Sequence, residues 1–236
     1  PHSANTVELY AEAINKHARF SLDNLQNQHS WIDYVQGVAV ELKELGIPLR
    51  SFRGSVKSTL PMAAGLSSSA ALEVATALAF LHLADETLSP VETALLCQRA
   101  ENKFVGVQCG ILDQTAIAAC IADHALMLYC NTMELEQIPF DLKNHSMIVT
   151  YSGAPRELAS SAYNDRRAGC EKAVEILKTQ MPQIGKLCDL TPDDLSLAEK
   201  VLSPILYKRV RHVVTEIDRT KRAAVALKNN DLETLG

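Results

Sequence analysis

Apolar positions recur at helical spacing from His29 to Leu45. Trp31, Tyr34, Val35, Val38, Leu42 and Leu45 share one side, and Gly46 and Pro48 end the run. Ser51 to Leu60 alternates loosely through Phe52, Val56 and Thr59, which predicts a strand closed by Pro61. Leu66 to Leu83 is apolar on nearly every face, the pattern of a buried helix. Ser89-Pro90-Val91-Glu92 is a capping box with proline at the first helical position, and predicts a helix running to about Phe104. Gly106 and Gly110 then bracket a turn, and the apolar runs Ala125 to Cys130 and Ser146 to Ser152 predict strands. Beyond Tyr151 the character changes. Glu157 to Met181, Leu195 to Leu202, Leu206 to Lys228 and a short final piece read as helices, with Thr191-Pro192-Asp193-Asp194 as a helix start.

Strands and helices therefore mix over the first two-thirds, and helices fill the last third. This places a domain change near residue 150, giving segments 1–150 and 151–236. The 236 residues are 47% apolar and 22% charged, an ordinary globular composition with enough chain for a proper core. Lys and Arg number 23 against 28 Asp and Glu, a net charge of −5. That balance gives no ground for a nucleic acid or an anionic membrane as partner, so an anionic ligand has to be held by local groups. No run of about 18 apolar residues predicts a membrane span. The start PHSANTVELY has neither a basic nor an apolar leader region, and a cytoplasmic location is expected. The six cysteines form no C-x-x-C pair and sit among apolar residues, so reduced, buried thiols and no zinc site are expected. Oligomeric state is not readable.

The chemistry concentrates at Pro61 to Glu73, PMAAGLSSSAALE, where three serines stand at the mouth of the buried helix. A helix N-terminus carries unpaired N–H groups and about half a positive charge. Gly65 permits a tight turn, Ser67, Ser68 and Ser69 add hydroxyl donors, and Ala70 and Ala71 add no bulk. This is the chemistry of an anion-binding helix start. The same residues also suit a plain cap on a core helix, and both readings stand at this point. The segment is not a Walker A loop, since it lacks the lysine and the second glycine.

PMAAGLSSSAALEVA resembles the second motif, P-x-x-x-G-L-[GS]-S-S-A, of the GHMP small-molecule kinases. ENKFVGVQCGILDQ at 101–114, WIDYVQGV at 31–38, SSAYNDRRAGCE at 160–171 and RVRHVVTEIDRTKRAAVAL at 209–227 are similar to the galactokinase branch of that family. The resemblance runs in order from Trp31 to the end of the chain. It implies an α+β, two-domain architecture: a ribosomal-protein-S5-like ATP-binding domain, incomplete at its start, then part of a ferredoxin-like domain. It also implies ATP and Mg²⁺ as cofactors and galactose as the small-molecule substrate, phosphorylated at C1.

The resemblance assigns the triphosphate to Gly65, Leu66, Ser67, Ser68, Ser69 and Ala70, and the metal to Ser69 and Glu101. Mg²⁺ takes one or two hard protein oxygens besides phosphate and water, which suits that pair. By itself Glu101 reads as a solvated charge on a helix. Asp113 becomes the residue facing the sugar hydroxyl, as base or as orienter, since phosphoryl transfer needs positioning more than a strong base. It also reads as a helix N-cap. Gly110 and Tyr163 stand beside the sugar by resemblance. Trp31, the only tryptophan, stacks near adenine by resemblance and is a core residue by spacing. Arg166 and Arg167 read as ion-pair formers and His212 as a packed or hydrogen-bonded histidine rather than a ligand.

The family's N-terminal sugar motif and C-terminal glycine-rich motif have no counterpart here. The chain is therefore expected to be the central part of a longer protein, with negligible kinase activity alone. Another sugar, N-acetylgalactosamine or arabinose, and a non-catalytic sugar and nucleotide sensor are the alternatives. The presence of Ser69, Glu101 and Asp113 together speaks against the sensor.

Overall fold

A computed structural model of the chain describes residues 5–62, 65–143, 145–150 and 159–236, with residues 159–163 by backbone alone. The chain divides into two compact units, Pro1–Cys120 and Ile121–Gly236.

In the first unit, β1 (Thr6–Ala11) runs between β2 (Lys16–Ser21) and β3 (Phe52–Val56), antiparallel to β2 and parallel to β3. The alternation along β1 buries Val7, Leu9 and Ala11 on one face. The parallel pairing with β3 needs a crossover, and α1 (Asp33–Glu44) provides it. α1 starts four residues later than the apolar spacing from His29 predicts. The reason is local: the Asp33 carboxylate accepts the backbone N–H of Gln28 and of Ser30, each at 2.9 Å, and holds that stretch in a turn.

α2 (Ser68–Ala84), α3 (Pro90–Arg99) and α4 (Leu112–Ala119) complete the unit. α3 begins on the expected capping box: Glu92 N–H donates to Ser89 Oγ at 3.2 Å and Ser89 N–H to Glu92 Oε2 at 2.8 Å. Val7, Leu9, Phe20, Val35, Val38, Leu42, Val74, Phe80 and Leu96 form the core between sheet and helices. Phe80 is fully buried and meets Phe52 of β3 edge-on, with ring centroids 5.2 Å apart. Burying an aromatic side chain to this degree stabilises by about 1.5–3 kcal/mol.

In the second unit, β4 (His124–Tyr129) and β5 (Glu134–Pro139) form an antiparallel hairpin. α5 (Ala159–Lys178), α6 (Leu195–Val201), α7 (Pro204–Lys228) and α8 (Leu232–Leu235) follow. Ala173, Leu177, Leu187, Ala198, Leu206 and Val210 form their core. The change of character near residue 150 lies inside this unit, because Met127 and Ile138 of the hairpin cluster with Ala224 of α7, and Lys228 pairs with Glu136 at 2.6 Å.

Three expectations change. Residues 146–150 form no strand, and residues 151–152 lie outside the described residues; Met147, Ile148 and Val149 are exposed, and no described strand lies beside them to complete a ladder. The cysteines are not uniformly buried: Cys97 is, but Cys120 and Cys130, just past the ends of α4 and β4, and Cys188, in a short turn at 187–189, are exposed. His212 is exposed rather than packed, since the buried stripe of α7 passes through Leu206, Val210 and Val214. Arg167 does pair with Glu171, at 3.1 Å. Among the described residues, no helix is long and apolar enough to cross a membrane.

Candidate active site

Two left-handed residues turn the chain into α2: Gly65 at φ +77° and Ser67 at φ +57°. The first ladder bond of the helix runs from Ala71 N–H to Ser67 C=O at 2.9 Å. The amides of Ser68, Ser69 and Ala70 therefore stand ahead of the ladder, as the first donors of any helix do. The Ser67 side chain makes no capping bond. Leu66, Ser67, Ser68 and Ser69 are half-buried and Ala70 is fully buried, so small side chains surround this end. Val74, Ala77, Phe80 and Leu81 anchor α2 in the core. A rigid 17-residue helix thus presents amides and hydroxyls at its positive end.

α3 does not run on as an α-helix to Phe104. Residues Ala100–Val105 form a π-helical turn, and Gly106 N–H donates to Glu101 C=O at 2.9 Å. Such turns concentrate at functional sites because they re-aim side chains. Gly106, at φ +88°, ends the turn. Asn27 Nδ2 donates to Phe104 C=O at 2.8 Å, and the Asn102 side chain accepts Cys109 N–H at 2.8 Å, tying the loop that follows. Glu101 is buried rather than solvated, which removes the reading of a surface charge.

Gln114 of α4, fully buried, joins the pieces. Its Nε2 donates to Glu101 Oε2 at 2.7 Å and to Glu73 Oε2 of α2 at 3.1 Å. Two carboxyl groups thus converge on one amide nitrogen. Glu73 lies four positions after Ser69 and so on the same face of α2. Asp113, half-buried in the first turn of α4, directly precedes Gln114. Burial pushes the Glu73 carboxyl up to about 9, with the Glu101 and Asp113 charges adding and the Gln114 bond opposing. Burial, with Glu101 nearby, pushes the Cys109 thiol up to about 12. Burial also pushes the Cys97 thiol up.

The arrangement brings Glu101 and Asp113 into one neighbourhood with the face of α2 that carries Ser69. Gly110 is exposed in the loop before α4. Trp31 is half-buried and packs on the core of the first unit, just ahead of α1. The backbone of Tyr163 belongs to α5, and its side chain lies outside the described residues.

Glu73, Gln114 and the π turn were not read from the sequence. Glu73 interrupts an apolar helix at Leu72-Glu73-Val74, and that lone charge was the available signal.

Glu101 and Ser69 offer a carboxylate and a hydroxyl, hard oxygens of the kind Mg²⁺ takes beside phosphate and water. Among the described residues, no group of three or more His, Cys, Asp or Glu is placed to hold a metal by itself. This donor set fits an Mg²⁺ whose shell phosphate and water oxygens complete.

Residues 33–120 match the family described as GHMP kinases N terminal domain. That match covers 88 of the chain's 236 residues. Along its whole length the chain is similar to galactokinases. The galactokinase of Chloroflexus aggregans is 40% identical over 238 residues, covering 100% of this chain and 61% of the relative. That of Pyrococcus furiosus is 39% identical over 230 residues, covering 98% of this chain and 62% of the relative. The crystal structure of Lactococcus lactis galactokinase complexed with galactose superimposes with a TM-score of 0.86 at 30% identity, covering 100% of this chain and 62% of that one. The chain thus spans about three-fifths of the length of the curated relatives it matches.

Proposed function

We propose that the whole protein transfers the γ-phosphoryl group of ATP to the C1 hydroxyl of galactose, giving galactose 1-phosphate and ADP. The observation that carries this reading is the convergence of Glu101, the Gln114 bond beside Asp113, and the serine-lined start of α2 in one compact unit. Phosphoryl transfer through a loose transition state needs little covalent help from the protein; it needs positioned donors and positioned charge.

The amides and hydroxyls from Gly65 to Ala70 hold the phosphates of ATP, as preorganised donors that pay no reorganisation cost during reaction. Ser69 and Glu101 hold Mg²⁺, which when bound neutralises charge on the phosphate oxygens. Asp113 faces the sugar hydroxyl and accepts or orients its proton. Gly110 stands beside the sugar, and Trp31 stands beside the adenine. The chain supplies the ATP-binding domain and the start of the next, in a cytoplasmic enzyme that needs no nucleic acid or membrane.

The test is turnover by the full-length protein with ATP, Mg²⁺ and a panel of galactose, N-acetylgalactosamine and arabinose, read by ³¹P NMR of the sugar phosphate. Preference for galactose is expected. Preference for another sugar corrects the substrate, and nucleotide binding with no turnover of any sugar replaces the kinase by a sensor.

A further inference from the structure

Gln114 is fully buried, and its amide nitrogen donates to two carboxyl groups, Glu101 at 2.7 Å and Glu73 at 3.1 Å, with Cys109 Sγ 3.6 Å away. Packing alone does not explain this choice. Glu73 Oε1 and Gln114 Oε1 are buried without a hydrogen-bond partner, and such atoms cost stability that an apolar pair of the same shape would avoid. A buried polar group kept at that cost usually serves position rather than stability.

The geometry shows what position is being held. Glu101 sits on a π turn, where the α-helical ladder of α3 gives way to a bond from Gly106 N–H to Glu101 C=O. Glu73 comes from α2, whose rotation is set by its buried stripe of Val74, Ala77, Phe80 and Leu81. Gln114 comes from α4, one residue after Asp113. One amide therefore references Glu101 against the helix that carries Ser69 and against the helix that carries Asp113.

We propose that Gln114 is a positioning residue that aims the Glu101 carboxylate, with Glu73 as the fixed point from which it does so. The proposal rests on the phosphoryl-transfer reading of the same site. The Glu101 oxygen bonded to Gln114 is held back, and the carboxylate keeps a single orientation toward a metal–nucleotide complex. Partners of this kind around a metal-binding carboxylate typically change metal affinity by 10–100-fold when removed.

The test uses the full-length protein with Mn²⁺ and a non-hydrolysable ATP analogue, binding being read by electron paramagnetic resonance. Gln114→Met keeps the volume and loses the amide. It should bind the nucleotide-linked Mn²⁺ at least about tenfold more weakly than wild type, with a raised Mg²⁺ requirement in turnover and an unchanged KM for the sugar. Equal Mn²⁺ affinity in a folded Gln114→Met protein overturns the positioning role while leaving the kinase reading intact. No nucleotide-linked Mn²⁺ binding by wild type overturns the site reading itself. If the methionine variant unfolds, Gln114→Asn, which keeps the amide but is one methylene short, should weaken Mn²⁺ binding in the same direction. Wild-type affinity in that variant overturns the proposal equally.

Discussion

Glu41 of α1 accepts Arg99 Nε at 2.6 Å and Lys103 Nζ at 3.1 Å, so one buried carboxylate ties down the residues two before and two after Glu101. α1 also approaches the π turn closely. A Cβ added at Gly37 would lie 3.1 Å from Ala100 C=O and 3.2 Å from Phe104 Cβ. Both neighbours belong to the turn that carries Glu101, and neither is the free end of a flexible side chain. Gly37→Ala should therefore lower stability by about 1–3 kcal/mol, read from the urea midpoint. It should also lower kcat by displacing the turn. An unchanged midpoint would mean that α1 can retreat without cost.

Ser67 separates stability from ligand binding. Its φ of +57° strains a serine but not a glycine, and its hydroxyl makes no cap bond. Ser67→Gly should hold stability or raise it by up to about 1 kcal/mol. The same change removes a hydroxyl donor from the phosphate cradle, so KM for ATP should rise several-fold. Thermal melting and steady-state kinetics on one preparation check both halves.

Glu73 makes stability depend on pH in a defined direction. Its carboxyl is raised from an ordinary 4.5 to about 9, so the folded state holds this proton more tightly than the unfolded chain does. The stabilisation is fully present below the unfolded value and is lost as pH rises toward the folded one. Glu73→Gln keeps the shape and cannot ionise. Wild type should therefore lose more stability than the variant between about pH 5 and pH 9, in denaturation series run side by side. Parallel curves would show that Glu73 ionises normally in the fold.

Asp113→Asn keeps the size and first-turn position of the residue while removing its charge. In the full-length protein it should cut kcat by at least about a hundredfold, the scale of a lost general base, and leave ATP binding largely intact. Near-normal kcat would take Asp113 out of the reaction.

Trp31 is the only tryptophan, so its fluorescence reports one place. It is half-buried on the core of the first unit. ATP should quench or shift that emission if adenine stacks on the exposed part of the ring. Emission indifferent to saturating ATP would leave Trp31 as a packing residue.

What could be read along the chain follows the range of the forces involved. The start of α3 was legible because Ser89 and Glu92 bond each other across three positions. α2, α5, α6 and α7 were legible because their apolar patterns repeat within a turn or two. The serine-rich mouth of α2 was legible as chemistry, since small donors before a buried helix have a local meaning. β1 and β2 were not read, although Val7, Leu9, Ala11 and Phe20 alternate, because six-residue strands are short signals and β1 finds β3 only 45 positions on. The run at 146–150 shows the reverse case: its composition suits a strand, and no described strand lies beside it.

The sequence by itself determined most of the helices though not α4, the capped start of α3, the mixed-then-helical order and the residue types of a phosphate site. Those rest on interactions between residues at most a few positions apart. Only the tertiary structure decided that Glu101 is buried on a π turn and that Glu73 takes part at all. It alone joined both to Gln114, across separations of 13 and 41 residues. One amide can serve two carboxyl groups only after three helices have packed, and no local pattern encodes that packing.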